Sequence, residues 1–129
     1  GGLRLPVSPH AVRALAGQYS ASSRFENGQG SNPEELLAAA EAACYSMALS
    51  GALEKNGTPP TSIDTTARCT VEKVNDAWTI TTIQLDVRAK VPNVDDATFQ
   101  RLANDTKVNC PVSRAFKGNV DLQLTAALS

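Results

Sequence analysis

The stretch from Leu36 to Leu53 constrains the fold more than any other part of the chain, because it is apolar on nearly every face. It is rich in alanine and leucine and long enough to raise the question of a membrane span. A spanning helix needs about 20 strongly apolar residues. Alanine interrupted by Glu41, Ser46, Ser50 and Gly51 falls short of that, so the sequence predicts a helix buried in protein. Asn32 can cap this helix, Pro33 suits its first position, and Glu35 stands where a capping side chain is expected. Asn56-Gly57 and then Pro59-Pro60 end it. A helix of this kind has to be covered on nearly every side, and a chain of 129 residues has little protein with which to do so. Dimerisation follows as a physical expectation.

Length and composition narrow the class. The chain fits a single domain over residues 1–129, and 42% hydrophobic residues suffice for a core. A formal net charge of -1 with no basic run leaves no electrostatic footprint for nucleic acid or an anionic membrane surface, so neither is an expected partner. Three cysteines cannot all pair within one chain, and their low density is unlike a small secreted scaffold. A reducing cytoplasm is the expected location, and no secretory signal is visible at the start.

Patterning supplies the elements. Ile63, Thr65, Ala67, Cys69 and Val71 alternate with polar residues, as in a half-buried strand, and Asn75-Asp76 reads as a turn. The next strand starts with Trp78 and Ile80 on one face and continues with Ile83, Leu85, Val87, Ala89 and Val91 on the other, which predicts a bulge or a strong bend near Thr81-Thr82. Asn93 or Asp95 can start a helix running toward Lys107, a short helix should follow Pro111, and Val120 to Leu128 alternate in a last strand. Leu3 and Leu5, Val12 to Leu15, and Tyr19 to Phe25 are candidate short strands separated by Pro6, Pro9 and Gly17. The pattern is α+β, with antiparallel strands packed on a central helix.

Two cysteines stand in settings that invite chemistry. Cys44 lies inside the apolar helix, where simple packing is the common fate of a thiol. Reactivity would need a cation to favour the thiolate, and Arg24 is a candidate. Cys110 precedes Pro111 and so falls at a helix cap, where exposed amides favour a thiolate. Cys69 sits among apolar strand residues and reads as packing. The sole histidine, His10, lies in a proline-rich segment, and no cysteine pair has zinc spacing, so neither a metal site nor a cofactor is expected. His10 is also the one conventional base for a cysteine hydrolase.

Four segments carry a resemblance: Asn32-Pro33-Glu34-Glu35-Leu36, Ala42-Ala43-Cys44-Tyr45-Ser46-Met47-Ala48-Leu49, Thr61-Ser62-Ile63-Asp64-Thr65-Thr66-Ala67 and Asn109-Cys110-Pro111-Val112-Ser113. In order and spacing they resemble the OsmC/Ohr family of osmotically inducible and organic hydroperoxide resistance proteins, with the OsmC branch the closer match. The likeness runs from about Ser23 to the C-terminus. It implies antiparallel sheets around a long central helix in an intertwined homodimer, and a thiol peroxidase acting on organic hydroperoxides. Cys44 matches the peroxidatic cysteine, which becomes a sulfenic acid, and Cys110 the resolving cysteine, which converts it to a disulfide. The external dithiol that reduces the disulfide is, by the same resemblance, a dihydrolipoyl group. Arg24 matches the arginine that stabilises the thiolate, and Glu34 the acid that holds the arginine. Glu34 and Cys44 lie roughly 15 Å apart along an ideal helix. Either Arg24 bridges them, the chain leaves the helix near Glu34, or a partner subunit contributes. Two features depart from the family pattern: Glu41 stands where members often carry His, and the N-terminus is short, so the first strand of the intertwined dimer is expected to be absent or to lie outside the structure. A charged Glu41 would oppose catalysis if it faced the Cys44 thiol and do nothing if it faced solvent. The competing reading is a non-catalytic protein of the same fold that senses oxidants or binds a small apolar ligand.

Overall fold

Capping side chains and strand alternation set the elements of the structure, a computed structural model that describes the backbone of residues 2–4 and 16–18 and the chain from 32 to 129. Two compact units are present, residues 1–36 and 37–129, with the boundary inside the long helix. In the first unit, β1 (Gly2–Arg4) pairs antiparallel with β2 (Ala16–Gln18), Leu3 opposite Gly17. Gly17 therefore lies within a strand instead of separating strands, and the expected strand at Val12 to Leu15 lies outside the described residues. The expected strand at Tyr19 to Phe25 lies outside the described residues.

Helix α1 spans Pro33–Lys55. The Asn32 Oδ1 accepts a hydrogen bond from the Glu35 amide at 2.8 Å, the expected cap. At the other end Gly57 takes a left-handed φ of 84°, which lets the Thr58 amide reach back to the Leu53 carbonyl at 3.0 Å. Between these ends the buried residues are Ala38, Glu41, Tyr45, Leu49 and Leu53, a single stripe at helical spacing. The chain thus covers one face, not nearly every face as expected. Met47 remains 76% exposed. One sheet can cover only one side of a helix.

That sheet has the order β3 (Ser62–Val74), β4 (Ala77–Lys90), β5 (Asp121–Leu128). β3 and β4 form a hairpin whose turn residues, Asn75 and Asp76, take φ of 50° and 62°, the left-handed pair that suits a two-residue loop. Thr70 pairs with Thr82 but Val71 pairs with Ile80, so Thr81 is the extra residue of a bulge, one of the two outcomes that the change of phase predicts. Beyond the bulge Ile83, Leu85, Val87 and Ala89 are all buried. The arrangement of strands needs one correction. β5 lies parallel to β4, so the sheet is mixed and not wholly antiparallel. The chain returns to the starting end of β4 through α2 (Asp96–Asn109) and α3 (Pro111–Phe116), and a crossover of that length permits parallel pairing.

The core is where the stripe of α1 meets the inner row of β4. Tyr45, Leu49 and Leu53 pack with Leu85, Val87, Ala89 and Phe99 of α2. The Tyr45 hydroxyl donates to the Ala103 carbonyl at 2.9 Å and ties α1 to α2. Asp95 caps α2, accepting from the Thr98 amide at 3.0 Å and its hydroxyl at 2.7 Å, and these bonds hold its carboxyl below the usual range. Leu49→Ala should destabilise the fold by about 2–5 kcal/mol through the cavity left at the centre of this contact. Urea unfolding should show the midpoint falling while the slope holds.

Candidate active site

The site begins with a proline. Pro111 disfavours helical geometry in the residue before it, and Cys110 accordingly sits at φ -64° and ψ 144°. Cys110 closes α2 through its amide to the Thr106 carbonyl and opens α3 through its carbonyl to the Arg114 amide, each at 3.0 Å. The pivot turns its side chain inward, and Cys110 is 1% exposed.

A polar cluster meets it there. Cys110 Sγ donates to Glu41 Oε1 at 3.3 Å and accepts from the Ser113 amide at 3.4 Å. The Ser113 hydroxyl lies 3.0 Å from the same sulfur and donates to Glu41 Oε1 at 2.6 Å. Glu41 is 0% exposed and Ser113 2% exposed, so bulk solvent does not reach these bonds. The second carboxyl oxygen, Oε2, is buried with no hydrogen-bond partner among the described residues. An unmade bond of that kind costs about 1–3 kcal/mol and calls for an explanation.

Cys44 follows Glu41 on α1 and is half-buried. Its thiol lies close enough to the Cys110 thiol to act on its protonation. Burial pushes the Cys110 thiol up to about 11, the Ser113 contacts oppose that rise, and the neighbouring Cys44 and Glu41 add to it. The expected poised thiolate at the helix cap is therefore not realised. Loss of water outweighs the cap amide, and Cys110 rests as a thiol at neutral pH. Tyr45, on the same stripe, is raised well above its ordinary range, first by burial and then by the charges that Cys110 and Glu41 would carry.

The structure brings Cys44 and Cys110 together from distant parts of the sequence. Glu34 lies in the first turn of α1 with regular helix around it, which removes the alternative that the chain leaves the helix there. Arg24 and His10 lie outside the described residues. Cys69 is half-buried in β3 opposite Ile83, the packing position expected of it. Sequence reasoning missed Ser113 and the side to which Glu41 turns. Glu41 does not face solvent but bonds to Cys110 and Ser113. Two signals were present: Glu41 is the one charged residue between Leu36 and Leu53, and Ser113 stands three residues after the cap.

The raised Cys110 pKa has a pH consequence. Between the ordinary thiol value of 9.0 and about 11 the unfolded chain loses this proton while the folded chain keeps it. The stabilising contribution is complete below that window and is lost as pH rises through it. In the reduced protein, alkylation of Cys110 mapped by mass spectrometry should accordingly rise only as pH approaches about 11. The same cysteine in urea should react near 9.0.

The OsmC-like protein family model matches residues 26–125. The chain is 46% identical over 104 residues to Peroxiredoxin OsmC of Escherichia coli (strain K12), covering 81% of this chain and 73% of that protein. It is 35% identical over 103 residues to the organic hydroperoxide resistance protein of Xanthomonas axonopodis pv. citri (strain 306), covering 78% and 69%. Among solved structures, the organic hydroperoxide resistance protein OhrB of Bacillus subtilis superimposes with a TM-score of 0.74 at 25% identity, over 89% of this chain and 84% of that one.

Proposed function

This chain belongs to the OsmC family, and on that premise we propose that it is a thiol-dependent peroxidase that reduces organic hydroperoxides to alcohols. The observation that carries the reading is the pair of neighbouring thiols, one half-buried and one fully buried. The more open thiol, Cys44, is the one a substrate can reach. Its thiolate attacks the peroxide, forming an S–O bond as the O–O bond breaks, and the alkoxide leaves as an alcohol after taking up a proton. Cys110 then attacks the sulfur of the Cys44 sulfenic acid, releasing water and leaving a Cys44–Cys110 disulfide. An external dithiol, which we assign to a dihydrolipoyl protein, returns both thiols by exchange.

In this proposal Arg24 stabilises the Cys44 thiolate and orients the peroxide, and Glu34 holds Arg24. The working unit is a homodimer. The exposed apolar side of α1, with Met47 outward, supports a second copy as its cover. The protein would act in a reducing compartment such as the cytoplasm, where the dithiol is regenerated. We assign alkyl and aryl hydroperoxides as substrates in preference to hydrogen peroxide, since burying apolar substrate surface contributes roughly 25 cal/mol per Å².

The test is disulfide mapping by mass spectrometry after the fully reduced protein meets an equivalent of cumene hydroperoxide. A Cys44–Cys110 disulfide with Cys69 unmodified supports the cycle, whereas an unreacted Cys44 overturns it. Cys44→Ser should abolish turnover with a dithiol reductant. Cys110→Ser should consume a single equivalent of peroxide and then stall. An unchanged steady-state rate in that variant would refute the assigned roles, and a native protein that oxidises once without cycling would be a sensor.

A further inference from the structure

We propose that Glu41 is the catalytic base that takes the proton from Cys110 when that thiol attacks the oxidised Cys44. The inference rests on the peroxidase reading above and adds to it a group for the resolving step. A thiol is a poor nucleophile until it loses its proton. Cys110 is cut off from water, so the proton needs an acceptor inside the protein. Glu41 Oε1 is that acceptor, already receiving the hydrogen bond from Cys110 Sγ at 3.3 Å. The stripe position that Glu41 occupies is otherwise filled by Ala38, Tyr45, Leu49 and Leu53, so packing alone favours an apolar side chain there.

The step balances without any added reagent. The Cys110 S–H proton passes to the Glu41 carboxylate as the Cys110 sulfur donates its electron pair to the Cys44 sulfur. The S–S bond forms, the Cys44 S–O bond breaks, and its electron pair leaves on hydroxide. Glu41, now a carboxylic acid, returns the proton to that hydroxide as water and is a carboxylate again. Its Oε2 has no hydrogen-bond partner among the described residues, so no described contact competes for the second transfer.

Ser113 separates this role from a structural one. Its 2.6 Å bond is the shorter of the two that Glu41 accepts from the described residues, so a purely structural cluster would depend on Ser113 at least as much as on the carboxylate. A base needs only the carboxylate and its contact with Cys110.

The experiment follows the reduced full chain after a pulse of cumene hydroperoxide, trapping the sulfenic acid with dimedone and quantifying the disulfide by non-reducing mass spectrometry. In Glu41→Gln, which keeps the shape and cannot accept the proton, Cys44 should oxidise at the native rate. Its sulfenic acid should accumulate, and the disulfide should form at least about tenfold more slowly. Ser113→Ala should form the disulfide within about threefold of the native rate. A native disulfide rate in Glu41→Gln overturns the proposal. So does a loss in Ser113→Ala of about tenfold or more, a readout that stands even if the Gln variant fails to fold. Native protein that forms no Cys44–Cys110 disulfide overturns the peroxidase reading itself, and this inference with it.

Discussion

The packing of one face of α1 on the inner row of β4 is the contact from which the rest of the structure follows. A helix rich in alanine, with a single charged residue between Leu36 and Leu53, has no strong polar side to mark the solvent, so large side chains must decide which face turns in. Tyr45, Leu49 and Leu53 do so, meeting Leu85, Val87, Ala89 and Phe99. The bulge at Thr81 serves the same contact, since without it the apolar row of β4 would point away from the helix beyond that residue. Once α1 is docked by this stripe, Glu41 is carried into the interior with it.

A carboxyl group placed there has to find donors, and it finds them where α2 gives way to α3. Proline after Cys110 breaks the helical path, the cysteine turns inward, and Ser113 follows at the spacing that lets its amide reach the sulfur. The cluster joins two elements far apart in sequence through polar bonds inside an otherwise apolar layer. Its cost is visible in Glu41 Oε2, which has no hydrogen-bond partner among the described residues, and in a Cys110 thiol kept protonated by burial. Cys44 beside it keeps partial access to the surface. Two chemically identical side chains thus acquire different properties from their surroundings alone.

Much of the secondary structure was legible because local physics governs it. Asn32, Asp95 and Gly57 mark helix ends by satisfying backbone groups, Asn75-Asp76 tolerates left-handed backbone, and an interrupted alternation shows a bulge. Other features were not legible for equally physical reasons. Alternation in β5 says which face is buried and nothing about strand direction, so its parallel pairing with β4 could not be read from it. The helix looked apolar all round because alanine scores as apolar on every face, yet small alanines sit exposed without difficulty.

Cys44, Cys110 and Glu34 stood out as candidate site residues by motif, and the local character of each was set by neighbours a few residues away. The sequence by itself determined where helices start and stop, where the hairpin turns, and that Cys110 stands at a helix junction, because these depend on contacts within a few residues. Only the tertiary structure decided that Cys110 is a buried thiol and not a cap-stabilised thiolate, that it neighbours Cys44, and that Glu41 turns toward it. Those outcomes depend on how much water remains around each group, and the amount of water is set by elements that meet only when the chain has folded.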